Sequence, residues 1–378
     1  MQTITRLVSV AMLVYGAFGV SLCSAKTAIG VNVNGLGTQL EDLSPDGMLA
    51  RSGTVWVRMF VDMSKHRGKS LAEIQNDPSI SNFKALHSQG YKTIINLKWA
   101  TKGRDFPGPD TQGRLDDFDV MRKVLASAGA ENIDIVVVGN EPFRETNIPF
   151  RDQDMTDWYK RMANEIKNFR TNNSHNFDIY MGAFNNLHKI IERTTVLTDL
   201  MQFAKNSSWI AGIDLHTHHE NIEEWQEVLD YASSQIRPDQ DILVTEFSLM
   251  RWFKSHNAQQ LATSYANKYY PEGTTNQIWQ ELLVLQGEKD SQRWHHFNAM
   301  HDFANSQKHY LKNVFRDYFH QPQYPVRIAT FALRQNRFLN YNIKADAWIY
   351  NGIFCFSTCS GEEKNFLWSA DFTSLPKQ

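Results

Sequence analysis

The chain has 378 residues, 42% hydrophobic and 21% charged, which is enough apolar material for one large core or two modest ones and gives no compositional case for disorder. Its formal net charge of −2 offers no electrostatic basis for binding nucleic acid or an anionic membrane surface. The 10 Trp, 13 Tyr and 23 Phe supply flat rings able to stack on the C–H faces of sugars, although most rings of this kind serve as packing.

At the N-terminus, Arg6 precedes the apolar stretch Leu7 to Val20, and Cys23-Ser24-Ala25 follows. A short basic region, an apolar region of this length and small residues at its exit form the pattern of a cleavable secretory signal, residues 1–25, with cleavage after Ala25. The stretch is short for a membrane-spanning helix, and Leu22 before Cys23 is unlike a lipoprotein signal. The expectation is a secreted, monomeric protein whose residues 26–378 form a single domain. Loss of the leader removes Cys23 and leaves Cys355 and Cys359, which either close a small disulfide loop or remain as buried thiols.

From residue 27 onward, short apolar runs alternate with segments of helical periodicity, the pattern of repeated β/α units. Strands are expected at Thr27 to Asn34, Thr54 to Val61, Tyr91 to Leu97, Ile133 to Val138, Asp178 to Ala183, Ile210 to His216 and Asp241 to Thr245. Helices are expected around Leu71 to Gln89, Leu115 to Ala128, Asp152 to Phe169, Leu197 to Ala204 and Ile222 to Ala232. The spacing then changes. Residues 250–340 are rich in helix formers and read as a helical excursion, after which Ala345 to Phe354 is expected to be the eighth strand. Eight strands with intervening helices fit a (β/α)8 TIM barrel with the excursion between strands seven and eight. An open doubly wound sheet is the competitor, but Gly35-Leu36-Gly37 lacks the third glycine and the spacing of a phosphate-binding turn.

In such a barrel the carboxyl ends of the strands converge on one face. Reading along those ends gives Asn32 or Asn34, Arg58, Lys98 and Trp99, Asn140 and Glu141, Asn185, His216 and His218, Glu246, and Trp348. Pro142 cannot donate to a ladder and biases Glu141 toward an extended conformation, so the fourth strand should stop with Glu141 at its lip. Glu141 and Glu246 end different strands and can face each other across a substrate. Two facing carboxylates are the minimal apparatus for glycoside hydrolysis. Adjacent strand residues point to opposite faces, so Asn140 and Glu141 can both reach one ligand only from a bulge or an irregular strand end.

Val138-Gly139-Asn140-Glu141-Pro142 and Val244-Thr245-Glu246-Phe247 resemble the acid/base and nucleophile segments of the retaining glycoside hydrolases built on (β/α)8 barrels, often called clan A. The resemblance is specific to that superfamily and names no family within it. It implies Glu141 as general acid/base, Glu246 as nucleophile, Asn140 as a partner of the sugar 2-hydroxyl and Arg58 as support for the nucleophile. It implies no cofactor and a poly- or oligosaccharide as partner. His216 or His218 would take the strand-six position, often Tyr in that superfamily, and Trp348 would form a sugar-subsite floor. The same repulsion that separates two nearby carboxylates in titration would keep Glu141 protonated beside an ionised Glu246.

Two other readings stand beside this one. Asp214-Leu215-His216-Thr217-His218 also resembles the metal-binding signature of amidohydrolase-like barrels and related phosphoesterases, with His216 and His218 as ligands. A catalytically inactive carbohydrate-binding barrel is the other. Lys98, Arg144 and Arg251, near strand ends, are either ordinary loop charges or contacts for a uronic or sulfated sugar.

Overall fold

A computed structural model describes residues 26–33, 43–100, 106–335 and 340–378. The expected signal at 1–25 and the strand-end candidate Asn34 lie outside the described residues. Eight strands close an all-parallel barrel in sequence order. They are β1 (Ala28–Asn32), β2 (Trp56–Asp62), β3 (Lys92–Lys98), β4 (Ile135–Val138), β5 (Asp178–Asn185), β6 (Gly212–His218), β7 (Asp241–Ser248) and β8 (Val326–Ala332). Closure comes from β8 pairing with both β1 and β7. Parallel strands buried on both faces explain the nearly uninterrupted β-branched runs such as Ile135-Val136-Val137-Val138, all four of them buried.

The barrel and seven of its strands match the expected order. The eighth does not. It lies at Val326–Ala332, inside the interval read as helical, and Ala345 to Phe354 is a segment with one 3-10 turn, Trp348–Tyr350. Arg327 and Thr330 interrupt the apolar pattern of Val326–Ala332, which hides the strand, whereas Ile349, Tyr350, Ile353 and Phe354 are apolar because they pack onto the core without being a strand. The helical excursion therefore runs from Met250 to Phe319, and in the chain after β8 Cys355 and Cys359 form a disulfide.

Helix ends follow their capping residues. Asp152 accepts from the amides of Asp154 and Met155 and starts the helix Gln153–Asn172. The segment expected as one helix up to Gln89 is two, Leu71–Gln75 and Pro78–Ser88, because Asp77 caps a new start with Pro78 at its first position. Within the excursion, Arg293 and Glu281 form a 2.7 Å buried ion pair that the hydroxyls of Tyr265 and Tyr270 complete, tying its helices together. No helix among the described residues is long and apolar enough to cross a membrane.

The end of β4 has the irregularity that the Asn140-Glu141 pair requires. Gly139 has φ 111° and Glu141 φ 53°, ψ 52°, so the chain turns left-handed and enters the short helix Pro142–Glu145 at once. The extended conformation expected of Glu141 is thus not adopted. A strand-to-helix turn this tight needs the left-handed residue, and Pro142 serves as the first helical position. A Cβ on Gly139 would run into the carbonyl oxygen of Gly182 on β5. Gly139→Ala is expected to lower the unfolding free energy by more than about 1 kcal/mol, read from the urea midpoint, since both the backbone angle and the space exclude it.

Candidate functional site

Strand register brings the polar residues together. Asn185 of β5 lies beside His216 of β6, and His216 beside Glu246 of β7. Across the barrel, Asn32 of β1 lies beside Arg58 of β2. Register shifts between Met181 and Phe184 and between Asp214 and His216 turn the carboxyl ends of β5 and β6 toward the mouth.

Arg58 is the centre of the arrangement. Its side chain is 0% exposed, and its donors are spread over several acceptors. Nε donates to Asn96 Oδ1 at 3.0 Å, Nη1 to Asn32 Oδ1 at 2.9 Å and to Glu246 Oε1 at 2.5 Å, and Nη2 to Asn140 Oδ1. A planar fork fully occupied in this way fixes the carboxylate it holds. Glu246 is 15% exposed and Glu141 21%, so both carboxylates sit on a buried base with one side toward the mouth.

His216 stands between the two glutamates. Its Nδ1 is 3.2 Å from Glu141 Oε1 and 3.9 Å from Glu246 Oε1, while Nε2 is 2.9 Å from Thr245 Oγ1. The Thr245 hydroxyl donates to Asp214 Oδ2 at 2.6 Å, and Asn96 Nδ2 donates to the same oxygen at 2.8 Å. Nε2 also lies 3.3 Å from Arg58 Nη2, which can only donate, so the Thr245 hydroxyl and the guanidinium both meet this nitrogen. Nδ1 is the imidazole atom that faces Glu141. Asn185 Nδ2 donates to Glu141 Oε1 at 2.5 Å and leaves its own Oδ1 buried without a partner.

The charges follow from these contacts. Burial raises Glu141, but the His216 hydrogen bond and charge outweigh it and hold the carboxyl well below the usual range. Burial likewise raises Glu246, and the charges of His216 and then Arg58 bring it below its ordinary value. Burial lowers His216, yet Glu246 and Glu141 raise it overall. The expected repulsion from Glu246, which would keep the proton on Glu141, is opposed by the imidazole between them, whose hydrogen bond and charge favour the Glu141 carboxylate.

The other expected site residues divide. His218 donates or accepts through Nδ1 with Ser248 Oγ at 2.9 Å and meets the Trp348 ring edge-on at 4.7 Å, so Trp348 reaches the mouth from the turn after β8 instead of from a strand. Trp99 is a correction. It is fully buried and packs edge-on against Trp158 at 4.9 Å, in the layer between barrel and helices, where no ligand reaches it. Lys98 pairs with Glu145 at 2.8 Å at the rim, outside the carboxylate cluster. Asn96, Asp214 and Thr245 belong to the site but were not assigned to it from sequence. The signal for the first two is a polar residue inside an apolar strand run, Ile94-Ile95-Asn96-Leu97 and Ile213-Asp214-Leu215, where burial demands a partner.

Glu141, His216 and Glu246 each offer an atom within 4.8 Å of the others, a grouping that could in principle hold a cation. The donor set argues against it. The Arg58 guanidinium already neutralises Glu246 at 2.5 Å, and both nitrogens of His216 face hydrogen-bond partners. His218, the second histidine of the metal reading, is not in the group.

No family model matches the chain, and no curated protein matches it. Some solved structures are similar to the chain over much of its length. A β-glucosidase from Exiguobacterium marinum is 10% identical with a TM-score of 0.49, covering 92% of this chain and 97% of that one. An exo-β-1,4-mannosidase from an Opitutaceae bacterium is 13% identical with a TM-score of 0.49, and the 92% of this chain that aligns spans only 59% of its length. A β-glycosidase is 12% identical with a TM-score of 0.47, covering 92% and 96%. Likeness of this degree concerns the path of the chain and says nothing of substrate.

The titrations make opposite contributions to stability. The raised His216 contributes fully below the ordinary imidazole value of 6.5 and loses its contribution as pH rises through the folded value. The lowered glutamates contribute above their ordinary 4.5 and lose it as pH falls through their folded values. The urea-midpoint difference between the native protein and His216→Asn should therefore shrink as pH is raised above 6.5.

Proposed function

We propose that the protein is a retaining β-glycoside hydrolase acting on a poly- or oligosaccharide, with Glu246 as nucleophile and Glu141 as acid/base. The observation that carries this reading is the approach of Glu141 and Glu246, whose facing oxygens lie within 4.8 Å of each other at the carboxyl ends of β4 and β7. Retaining pairs stand about 5–5.5 Å apart and inverting pairs about 6.5–9.5 Å, because inversion needs room for a water. The resemblance of the two glutamate segments to clan A supports the same assignment.

The chemistry then runs through this chain's own groups. Arg58 and His216 keep Glu246 ionised and aimed, and it attacks the anomeric carbon while the glycosidic oxygen departs. The departing oxygen takes its proton from Glu141, which receives it from His216 Nδ1. Attack converts Glu246 to a neutral ester. Glu141, now an anion, takes a proton from water and water releases the sugar with its configuration retained. Asn140, anchored through Oδ1 on Arg58, presents its amide NH2 to a sugar hydroxyl. The disulfide and the apolar leader both suit an exported protein.

Glu246→Gln and Glu141→Gln keep the shape of the site and should each cut hydrolysis by about 10³-fold or more on a glycan panel. Proton NMR of the first-formed product should show the anomer of the substrate. Inverted product, or full activity in Glu246→Gln, would overturn the assignment.

A further inference from the structure

Positive charge gathers on one side of the barrel mouth. Arg251, three residues past the end of β7, donates from Nη2 to Asn186 Oδ1 at 3.2 Å and so reaches over β6 to the end of β5. Asn186 follows Asn185, whose amide holds Glu141, which sets the guanidinium one residue from the acid/base contact. Lys189 and His188 lie on the same loop. Burial and then the Arg251 charge draw Lys189 below the usual lysine range. Burial together with the charges of Arg251, Lys189 and Arg193 pushes His188 down to about 4.

Part of this charge is balanced from nearby carboxylates, Glu224 acting on Arg251 and Lys189 and Glu192 on Lys189. Arg144 pairs with Glu192 at 2.9 Å, and Glu224 lies within reach of His188 at 3.2 Å. Among the described residues no carboxylate is within ion-pair distance of Arg251 or Lys189. Arg251 also lines a cavity of about 730 Å³ beside Glu220, Met250, Lys344 and the Lys254–Asp346 pair, whose 2.6 Å contact cancels two of the charges. A cavity of that size accommodates several sugar units' worth of ligand surface. Scattered surface cations need no explanation, but half-buried like charges crowded beside a reaction site repel one another, and an anionic ligand relieves that repulsion. A guanidinium matches the planar carboxylate or the sulfate in a forked hydrogen bond.

We infer that the substrate is an anionic glycan, and that Arg251, with Lys189 beside it, receives the carboxylate or sulfate of a sugar bound in this sector of the mouth. This rests on the glycoside hydrolase reading given above.

Binding and turnover test the two separately. Glu246→Gln protein is titrated with polyuronates and with sulfated polysaccharides, each paired with its carboxyl-reduced or desulfated form, at one fixed salt concentration. The unaltered protein is assayed for hydrolysis of the same pairs. In at least one pair the acidic member should bind at least tenfold tighter than its neutral counterpart. Adding Arg251→Gln should reduce that ratio at least fivefold, whereas Lys123→Gln, on a barrel helix away from the mouth, should leave it unchanged. Preference for polyuronates identifies a carboxylate as the ligand, and preference for the sulfated polymers a sulfate. Equal binding of neutral and acidic members, a ratio indifferent to Arg251→Gln, or no binding to any pair overturns the inference. Hydrolysis of neutral polymers that Glu246→Gln abolishes would leave the hydrolase reading standing in that event, and hydrolysis that persists in Glu246→Gln would overturn the reading itself.

Discussion

A guanidinium with no access to water must have each of its donors matched, and Arg58 meets that requirement with Asn32, Asn96, Asn140, Glu246 and His216. These partners come from β1, β3, the end of β4, β6 and β7, so the fork ties five parts of the barrel to one point. Removing one member of such a buried pair costs about 3–5 kcal/mol, because the remaining charge loses its partner in a medium that cannot solvate it. The geometry of the carboxylates is therefore a consequence of satisfying Arg58.

His216 adds the second constraint. Thr245 and Arg58 both meet Nε2, and register places Nδ1 between two glutamates. Glu141, His216 and Glu246 lie within a few ångströms, so the charge of each bears on the titration of the others. A tyrosine at this position could anchor Glu246, but it could not exchange a proton with Glu141 near neutral pH.

The left-handed turn at Glu141 shows the fold serving the site. Glu141 adopts a left-handed conformation that costs energy outside this context, and the barrel holds it through the contacts of Asn185 and His216. The result is that Asn140 and Glu141, consecutive in the chain, serve the same space from different directions. Asn140 turns down onto Arg58, and Glu141 turns toward His216.

Apolar runs ending in polar residues are local features, and they sufficed for the barrel order, seven of the strands, and the strand ends that carry Arg58, Asn140, Glu141, Asn185, His216 and Glu246. Periodicity could not separate Val326–Ala332 from its helical surroundings, because Arg327 and Thr330 break the run while closure with β1 and β7 makes it a strand. Nor could it tell the buried Trp99 from a mouth-facing ring, since one position along a strand end decides between core and cleft. The proton's location lay further out of reach. It depends on distances among Glu141, His216, Thr245 and Asp214, residues brought together only by the register of β6 and β7 and the turn after β4. Residue types along the chain determine which charges are present, and only tertiary structure decides which of them stand close enough to share a proton.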